Sequence, residues 1–478
     1  MADSRTYAGK FLRKINERVN WHSHFTLFIL SVLVAFGLFY FVSDPEFNNS
    51  QNYVLFILFL SIALWVTEAI PPFAVGILII GYLVFSIGST DEPYNVKQYV
   101  QTWSDSVIWL FLGGFFLAEA MKKTGLDKDL LKLTVPKFGN KASVILLGLM
   151  MLTAVLSMLM SNTATTAMMI ATITPILKTL GSKAALSKNL LIGIPAAASV
   201  GGMGTIIGSA PNAIVVGALE GVGIQISFLE WMMFGIPIAL TLIMIFWYVL
   251  LKKHPIKTKT LQLDHLFNTA EERRPHKHAK LHKRITLIIL SITLFLWLTS
   301  GITGIPVAAV SGIPIIALTM FSIIESDDVR ALSWDTLMLV AGGLALGLAV
   351  QEQGLAQYFV SLIPASNINI YVLYIAFGLF TVVFSNIMSN TATATIFIPI
   401  AISLIMSIDV SNTITLPLII GLSASCALLL PVSTPPNAIA FSTGMLKQSD
   451  FRFGGIFVGL LGPFVVMLWC MLIISIFY

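Results

Sequence analysis

Charge is what this chain has least of. Its 28 Lys and Arg and 23 Asp and Glu make up 11% of 478 residues, where a soluble chain carries about a quarter. With 56% hydrophobic residues and a mean hydropathy of +0.88, it has too little polar side chain for a soluble globular fold. Cysteine is nearly absent: Cys426 and Cys470 lie in apolar surroundings, without the spacing of a metal site or a disulfide framework, and read as core residues. Short alternating segments are missing, which excludes a membrane β-barrel. No zinc-hydrolase or intramembrane-protease motif and no activated nucleophile is visible, so an enzyme is not expected. Gly202-Met203-Gly204 with Gly208 matches part of a dinucleotide fingerprint, but no strand precedes it. The net charge of +5 sits in loops beside apolar runs, where it sets orientation and does not point to nucleic acid.

Long apolar runs are present instead, among them 25–42, 107–121, 285–298 and 455–478. They predict an all-α polytopic membrane protein embedded in a lipid bilayer, the cell membrane. Arg5, Lys10, Arg13, Lys14 and Arg18 precede the first run. That run is long for a signal peptide and is followed by Asp44-Pro45-Glu46, not by a cleavage site, so it predicts a first membrane helix with its N-terminus in the cytoplasm.

Spans are predicted at about 25–43, 53–67, 72–88, 106–121, 189–218, 232–251, 285–300, 306–324, 335–351 and 415–445, with a last helix to the C-terminus outside, about eleven in all. The apolar stretch 142–177 is flanked by basic loops on both sides, Lys122 to Lys141 before it and Lys178, Lys183 and Lys188 after it. Basic residues on both flanks mean that it enters and leaves on one side, as a re-entrant hairpin. A second hairpin is expected at about 367–408. Under this topology Lys97 is the one Lys or Arg of 28 outside the cytoplasm. The chain divides into 1–52 (N-terminus and first helix), 53–251, a basic cytoplasmic linker at 252–284, and 285–478.

The two large segments repeat one another. Trp65-Val66-Thr67 matches Trp297-Leu298-Thr299, and Gly113-Gly114 matches Gly342-Gly343; both glycine pairs are expected to permit close helix packing. Ser161-Asn162-Thr163-Ala164-Thr165 recurs 228 residues later as Ser389-Asn390-Thr391-Ala392-Thr393. Pro211-Asn212 and Pro436-Asn437 close each half. An odd number of crossings per unit gives the halves opposite orientation, and broken helices at matching places in inverted repeats locate a transporter's binding site. An anion channel would need a continuous pore, which two closed hairpin tips oppose.

Each tip offers hydroxyls, an amide and the N-terminus of the following half-helix, which favours an anion. Amide and hydroxyl oxygens with unwound carbonyls suit a small cation. Ser157 and Ser385 lie four residues before Ser161 and Ser389, one helical turn away on the same face. No Lys or Arg falls in a span, so a bound dianion has no side-chain countercharge. Bound cations could offset it, giving symport; exchange of one dianion for another is the competing solution. Glu68 and Glu119 are acidic residues near spans that could relay protons or merely face water.

These tips, the segment Trp65-Val66-Thr67-Glu68-Ala69-Ile70-Pro71 and Thr434-Pro435-Pro436-Asn437 resemble the divalent anion/sodium symporter family, the INDY-type dicarboxylate transporters. The resemblance implies a homodimer with an elevator mechanism that carries succinate, malate or fumarate with Na+. It also covers sodium-independent exchangers and, as a further substrate, sulfate. It places one sodium site at Ser157, Ser161, Asn162 and the backbone of Gly208, and a second at Ser385, Asn390 and backbone near Met388 and Ser433. It assigns substrate carboxylates to Asn162, Thr163, Ser209, Asn390, Thr391 and Thr434, with Pro435 alongside. Ser385 stands where relatives can have Thr, and Ala210 replaces the first proline of the earlier break.

Overall fold

The computed structural model describes residues 21–90, 95–181, 184–256, 279–361, 369–407 and 412–477. The basic N-terminus, most of the linker at 252–284 and Lys183 lie outside the described residues, as do both ends of the predicted hairpin at 367–408. Every regular element among the described residues is helical. Among the described residues eight helices are long and apolar enough to cross a membrane, and five shorter apolar ones accompany them.

The helices that matter here are α1 (Trp21–Val42), α2 (Asn49–Thr67), α3 (Pro72–Gly88), α4 (Ser106–Thr124), α5 (Ala142–Ser157), α6 (Asn162–Leu180), α7 (Ala185–Gly201), α8 (Ala210–Glu220) and α9 (Phe228–Lys253). Their counterparts in the second half are α10 (Ala279–Leu298), α11 (Val307–Met320), α12 (Trp334–Glu352), α13 (Ile370–Ile387), α14 (Asn390–Ser407), α15 (Thr415–Ala424), α16 (Pro435–Ser442) and α17 (Gln448–Phe477). Two predicted spans are therefore two helices each. The span at 189–218 is α7 and α8 separated by short 3-10 turns through Gly202–Gly208, and the span at 415–445 is α15 and α16. The physical reason is local: glycines and Pro211, or Pro435-Pro436, cannot continue the ladder of the helix before them.

Boundaries follow sequence chemistry. Asn48 caps α2 reciprocally with Gln51, Ser227 does the same for α9 with Glu230, and Gly125 ends α4 in the left-handed region at φ 69°. The repeated tryptophans close matching corners: Trp65 Nε1 donates to Pro72 O at 3.3 Å and Trp297 Nε1 to Val307 O at 3.4 Å.

Polar contacts sort the loops into two ends. At one end Lys123 pairs with Asp328 at 2.5 Å, Lys188 with Asp450 at 3.3 Å, and Lys283 with Asp129. At the other, Gln51 Nε2 donates to Gln353 O at 3.0 Å, Gln98 to Glu352, and Tyr358 to Val42 O at 3.3 Å. Helix α1 finishes at this second end and α17 starts at the first, so the described termini lie at opposite ends.

The halves are interlaced: α3 runs along α12 and α11 along α4. A Cβ on Gly342 would lie 2.3 Å from Gly76 Cα, and one on Gly113 would lie 2.8 Å from Ser311 Cβ. These contacts bear out the close-packing role of the glycine pairs, since only a missing side chain lets backbones approach so nearly.

Candidate functional site

The two helix pairs reach the middle from opposite ends. Helices α5 and α7 climb together from the first end, with Gly193 against Met150 and Gly201 against Ala154, so the turn at 158–161 is approached from there. Helix α14 lies alongside α12 in the same direction, with Gly343 against Thr395 and Gly347 against Pro399, and so departs toward the second end. Both turns line one cavity of about 670 Å³. It is bounded by Ser161, Asn162 and Thr163 from the first tip and by Ser389, Asn390 and Thr391 from the second. The breaks contribute Gly208, Ser209, Ser433, Thr434 and Pro435. All seven residues assigned to substrate are thus brought together, while Ser157, Ser385 and Met388 are buried outside the lining.

The first residues of four helices, Asn162 of α6, Ala210 of α8, Asn390 of α14 and Pro435 of α16, line this cavity. Each helix N-terminus carries roughly half a positive charge, so four of them present about +2 in total. Among the described residues no Lys, Arg or His is in the lining, and Asp335 is its one carboxylate. Pro72 and Phe73 at the start of α3, and Ser333, Asp335 and Thr336 at the start of α12, form the rim. Both starts belong to the end that carries Lys123 and Asp328, so the cavity opens there. Glu68 and Glu119 do not line it; Glu119 pairs with Lys122 at 3.1 Å.

Ser161 caps α6 by accepting from Ala164 N at 3.2 Å, and Ser389 caps α14 by accepting from Ala392 N at 3.1 Å. Thr434 Oγ1 similarly accepts from Asn437 N at 3.3 Å, whereas Ser209 makes no such cap.

Behind the first tip, one terminal amide atom of Asn162 lies 2.6 Å from Ser157 Oγ, 3.1 Å from Ala198 O and 3.2 Å from Gly208 O. With Oδ1 in that place it accepts from Ser157 Oγ; with Nδ2 there, its two N–H groups serve two of the three oxygens and Ser157 Oγ donates onward to Ala198 O at 2.8 Å. The crowding explains two glycines: a Cβ on Gly202 would come within 2.6 Å of the Asn162 amide, and one on Gly208 within 2.5 Å of Gly202 O.

Behind the second tip, Ser385 Oγ and Asn390 Oδ1 are buried without a hydrogen-bond partner. Asn386, to which sequence reasoning gave no role, accepts at Oδ1 from Leu429 N and Ser433 Oγ, both at 2.9 Å. Met388 contributes an extended residue whose N–H donates to Phe384 O at 2.8 Å. These neutral oxygens fit a monovalent cation. Divalent ions take carboxylate ligands, and among the described residues no group of three His, Cys, Asp or Glu side chains could hold a metal.

Asn212 and Asn437 also had no predicted part in the site. Asn212 Nδ2 donates to Gly202 O and Thr205 O, both at 2.8 Å; Asn437 Nδ2 donates to Leu428 O at 3.3 Å and Leu430 O at 3.0 Å. Each ties an unwound segment to the helix after it.

A family model described as "Sodium:sulfate symporter transmembrane region" matches residues 22–477. An uncharacterized transporter of Haemophilus influenzae is 31% identical over 467 residues, covering 93% of this chain and 96% of the relative. The sodium-dependent dicarboxylate transporter SdcS of Staphylococcus saprophyticus is 29% identical, covering 95% of this chain and 92% of its own. SdcS of Staphylococcus aureus strain USA300 is 30% identical, covering 92% and 88% respectively. In fold, the chain is similar to the crystal structure of the Alcanivorax borkumensis YdaH transporter, with a TM-score of 0.55 at 12% identity over 84% of this chain and 97% of that one.

Proposed function

The chain belongs to the family of the sodium:sulfate symporter transmembrane region, and from that membership we propose that it carries small dicarboxylates of the succinate, malate and fumarate class across the cell membrane in symport with sodium. The observation that carries this reading is the meeting of four helix N-termini in a cavity to which the described residues bring no basic side chain. About +2 of dipole charge matches a dianion, and the relatives named sodium-dependent dicarboxylate transporters favour a dicarboxylate over sulfate.

In this reading Thr163, Ser209, Thr391 and Thr434 turn hydroxyls, and Asn162 and Asn390 turn amides, toward the two carboxylates, with Pro435 alongside. Ser157, Asn162 and the carbonyl of Gly208, with Ser161 at the tip, make one cation pocket. Ser385, Asn390 and backbone at Met388 and Ser433 make the other. Sodium adds a full positive charge to the partial charges of the helix N-termini, which no side chain of the described lining supplies. The end with Lys123, Lys188 and Lys283 is cytoplasmic by the positive-inside rule, so the cavity faces the cytoplasm, the N-terminus lies inside and the C-terminus outside. Helices α5–α9 and α13–α17 form the moving body of an elevator against α2–α4 and α10–α12, in a homodimer.

Sodium-independent exchange is the second reading: with its Nδ2 turned inward, the Asn162 amide hydrogen-bonds within its own cluster and presents no oxygen there to a cation. Radiolabelled succinate uptake into proteoliposomes separates the two. Symport predicts uptake driven by an inward sodium gradient with empty vesicles. Uptake indifferent to sodium but dependent on internal succinate would reject it. In the same assay Asn390→Ala should lower uptake roughly 10- to 100-fold, the loss expected when a hydrogen bond to a charged group disappears, with the monodisperse elution of the purified protein unchanged.

A further inference from the structure

The cavity of about 670 Å³ lies in the range that holds drug-sized ligands, well beyond the needs of a small dicarboxylate. Its volume therefore does not stop a bulkier anion from entering. Its charge sets a different limit. Four helix N-termini bring about +2 to the tips and breaks, which a dianion balances. A third negative charge finds no match there and has to point back toward the opening, where solvent would carry it at little cost. Asp335 stands at that opening, the one carboxylate of the described lining.

Its place at the rim is fixed from two sides. Trp334, the residue before it, donates from Nε1 to Val329 O at 2.8 Å and pins the start of α12 to the turn that precedes it. A Cβ on Gly76 would lie 2.6 Å from Met338 O, so the same start is pressed against α3, whose Pro72 and Phe73 form an uncharged part of the rim. No basic side chain of the described lining stands beside Asp335. Arg330, the basic residue nearest to it in sequence, is held by Asp327 at 2.6 Å. Asp335 is exposed, so its charge acts on whatever occupies the mouth.

We propose that Asp335 limits the charge of the bound anion, admitting dicarboxylates and repelling the third carboxylate of a tricarboxylate at the cavity mouth. The proposal rests on the dicarboxylate reading and deepens it, because it names the residue that separates two substrate classes of similar size. Like charges a few ångströms apart across a mouth open to solvent weaken binding by roughly three- to tenfold. An acidic residue in the first turn of a helix also favours that helix's own dipole. That second contribution acts on folding and leaves the ratio between two ligands of different charge alone, so a ratio is the quantity to measure.

The test is displacement of radiolabelled succinate from the purified full chain, with sodium present, at about pH 8, where free carboxylates are ionised. Three competitors share one skeleton: glutarate, propane-1,2,3-tricarboxylate, and that tricarboxylate with its central carboxylate converted to the amide. The amide has the bulk of the tricarboxylate and the charge of glutarate. On the unaltered chain the tricarboxylate should compete at least about threefold less effectively than its amide. Asp335→Asn should bring the two within about twofold of each other. Asp335→Ser, also neutral and well suited to a helix start, should do the same and stands if Asp335→Asn does not fold. Asp335→Glu, which returns the charge, should keep the gap. Equal competition by the tricarboxylate and its amide on the unaltered chain would overturn the proposal, as would a gap that survives in the neutral variants. An amide as weak as the tricarboxylate beside an effective glutarate would show that bulk, not charge, sets the limit, and would overturn it too. If the unaltered chain binds no succinate, the dicarboxylate reading itself fails and the role of Asp335 falls with it; a failure confined to the gap removes that role alone.

Discussion

Asn212 and Asn437 each spend an amide on two backbone carbonyls left free where a helix is broken. A carbonyl buried without a donor costs about 1–3 kcal/mol, so these side chains make the unwound segments tenable away from water. Asn212→Ala should therefore destabilise the folded chain by about 1–3 kcal/mol, seen as a lower midpoint of thermal unfolding in detergent. An unchanged midpoint would mean that water satisfies Gly202 O and Thr205 O instead. The Pro-Asn pairs were visible in the sequence as breaks, because proline cannot continue a helix. Their amide partners were not, since an asparagine's acceptors up to ten residues upstream depend on how the intervening backbone folds. Asn386 was missed for a related reason: it lies within α13, and its donors Leu429 and Ser433 come from a distant break. The repeated Ser-Asn-Thr, by contrast, declared itself, because polar residues duplicated in an apolar chain have few uses other than a shared polar site.

At the scale of helices, the glycine pairs show how far a one-dimensional reading extends. Gly113-Gly114 and Gly342-Gly343 announced close packing, yet the sequence could not say against what. The partners are Ser311 and Ile207 for the first pair and Gly76 and Thr395 for the second; Ser311 and Gly76 come from the other half of the chain, Ile207 and Thr395 from the same half. Contacts between repeats obey no local spacing, which is why they had to wait for the structure. A contrast isolates the packing term from intrinsic helix preference. Gly312, within α11, has nothing within 4 Å of its Cβ position, whereas the Gly342 position is met by backbone atoms of Gly76 at 2.3 and 2.4 Å. Gly312→Ala should be neutral or stabilising by up to about 1 kcal/mol, the ordinary advantage of Ala over Gly in a helix. Gly342→Ala should cost about 1–3 kcal/mol or more from overpacking against rigid backbone. Paired unfolding measurements decide it: equal effects at the two positions would show that α3 and α12 can separate without penalty.

Across the whole molecule, the spread of lysines and arginines along the sequence predicts an orientation, and the contacts divide the loops into two groups that match it. Lys123 with Asp328 and Lys188 with Asp450 mark one end, Gln98 with Glu352 the other. The direction in which the cavity opens was not legible, since either end of an inverted repeat could be exposed. It follows from rim residues Ser333 and Thr336, at the start of α12 on the basic end. This combination yields a test of topology and access together. Cys426 and Cys470 are both fully buried, so the native background should be silent to a membrane-impermeant thiol reagent. Ser333→Cys, at the rim, should react in inside-out vesicles and not in right-side-out ones, and succinate with sodium should slow the labelling if the cavity is the proposed site. Lys97→Cys, on the opposite end, should show the reverse sidedness without protection. Reaction of Ser333→Cys from outside alone would invert the orientation, since the rim and the basic loops share an end and must turn over together. Reaction from both sides at comparable rates would instead mean that the chain exchanges between openings at rest, and then substrate protection should weaken equally on the two faces.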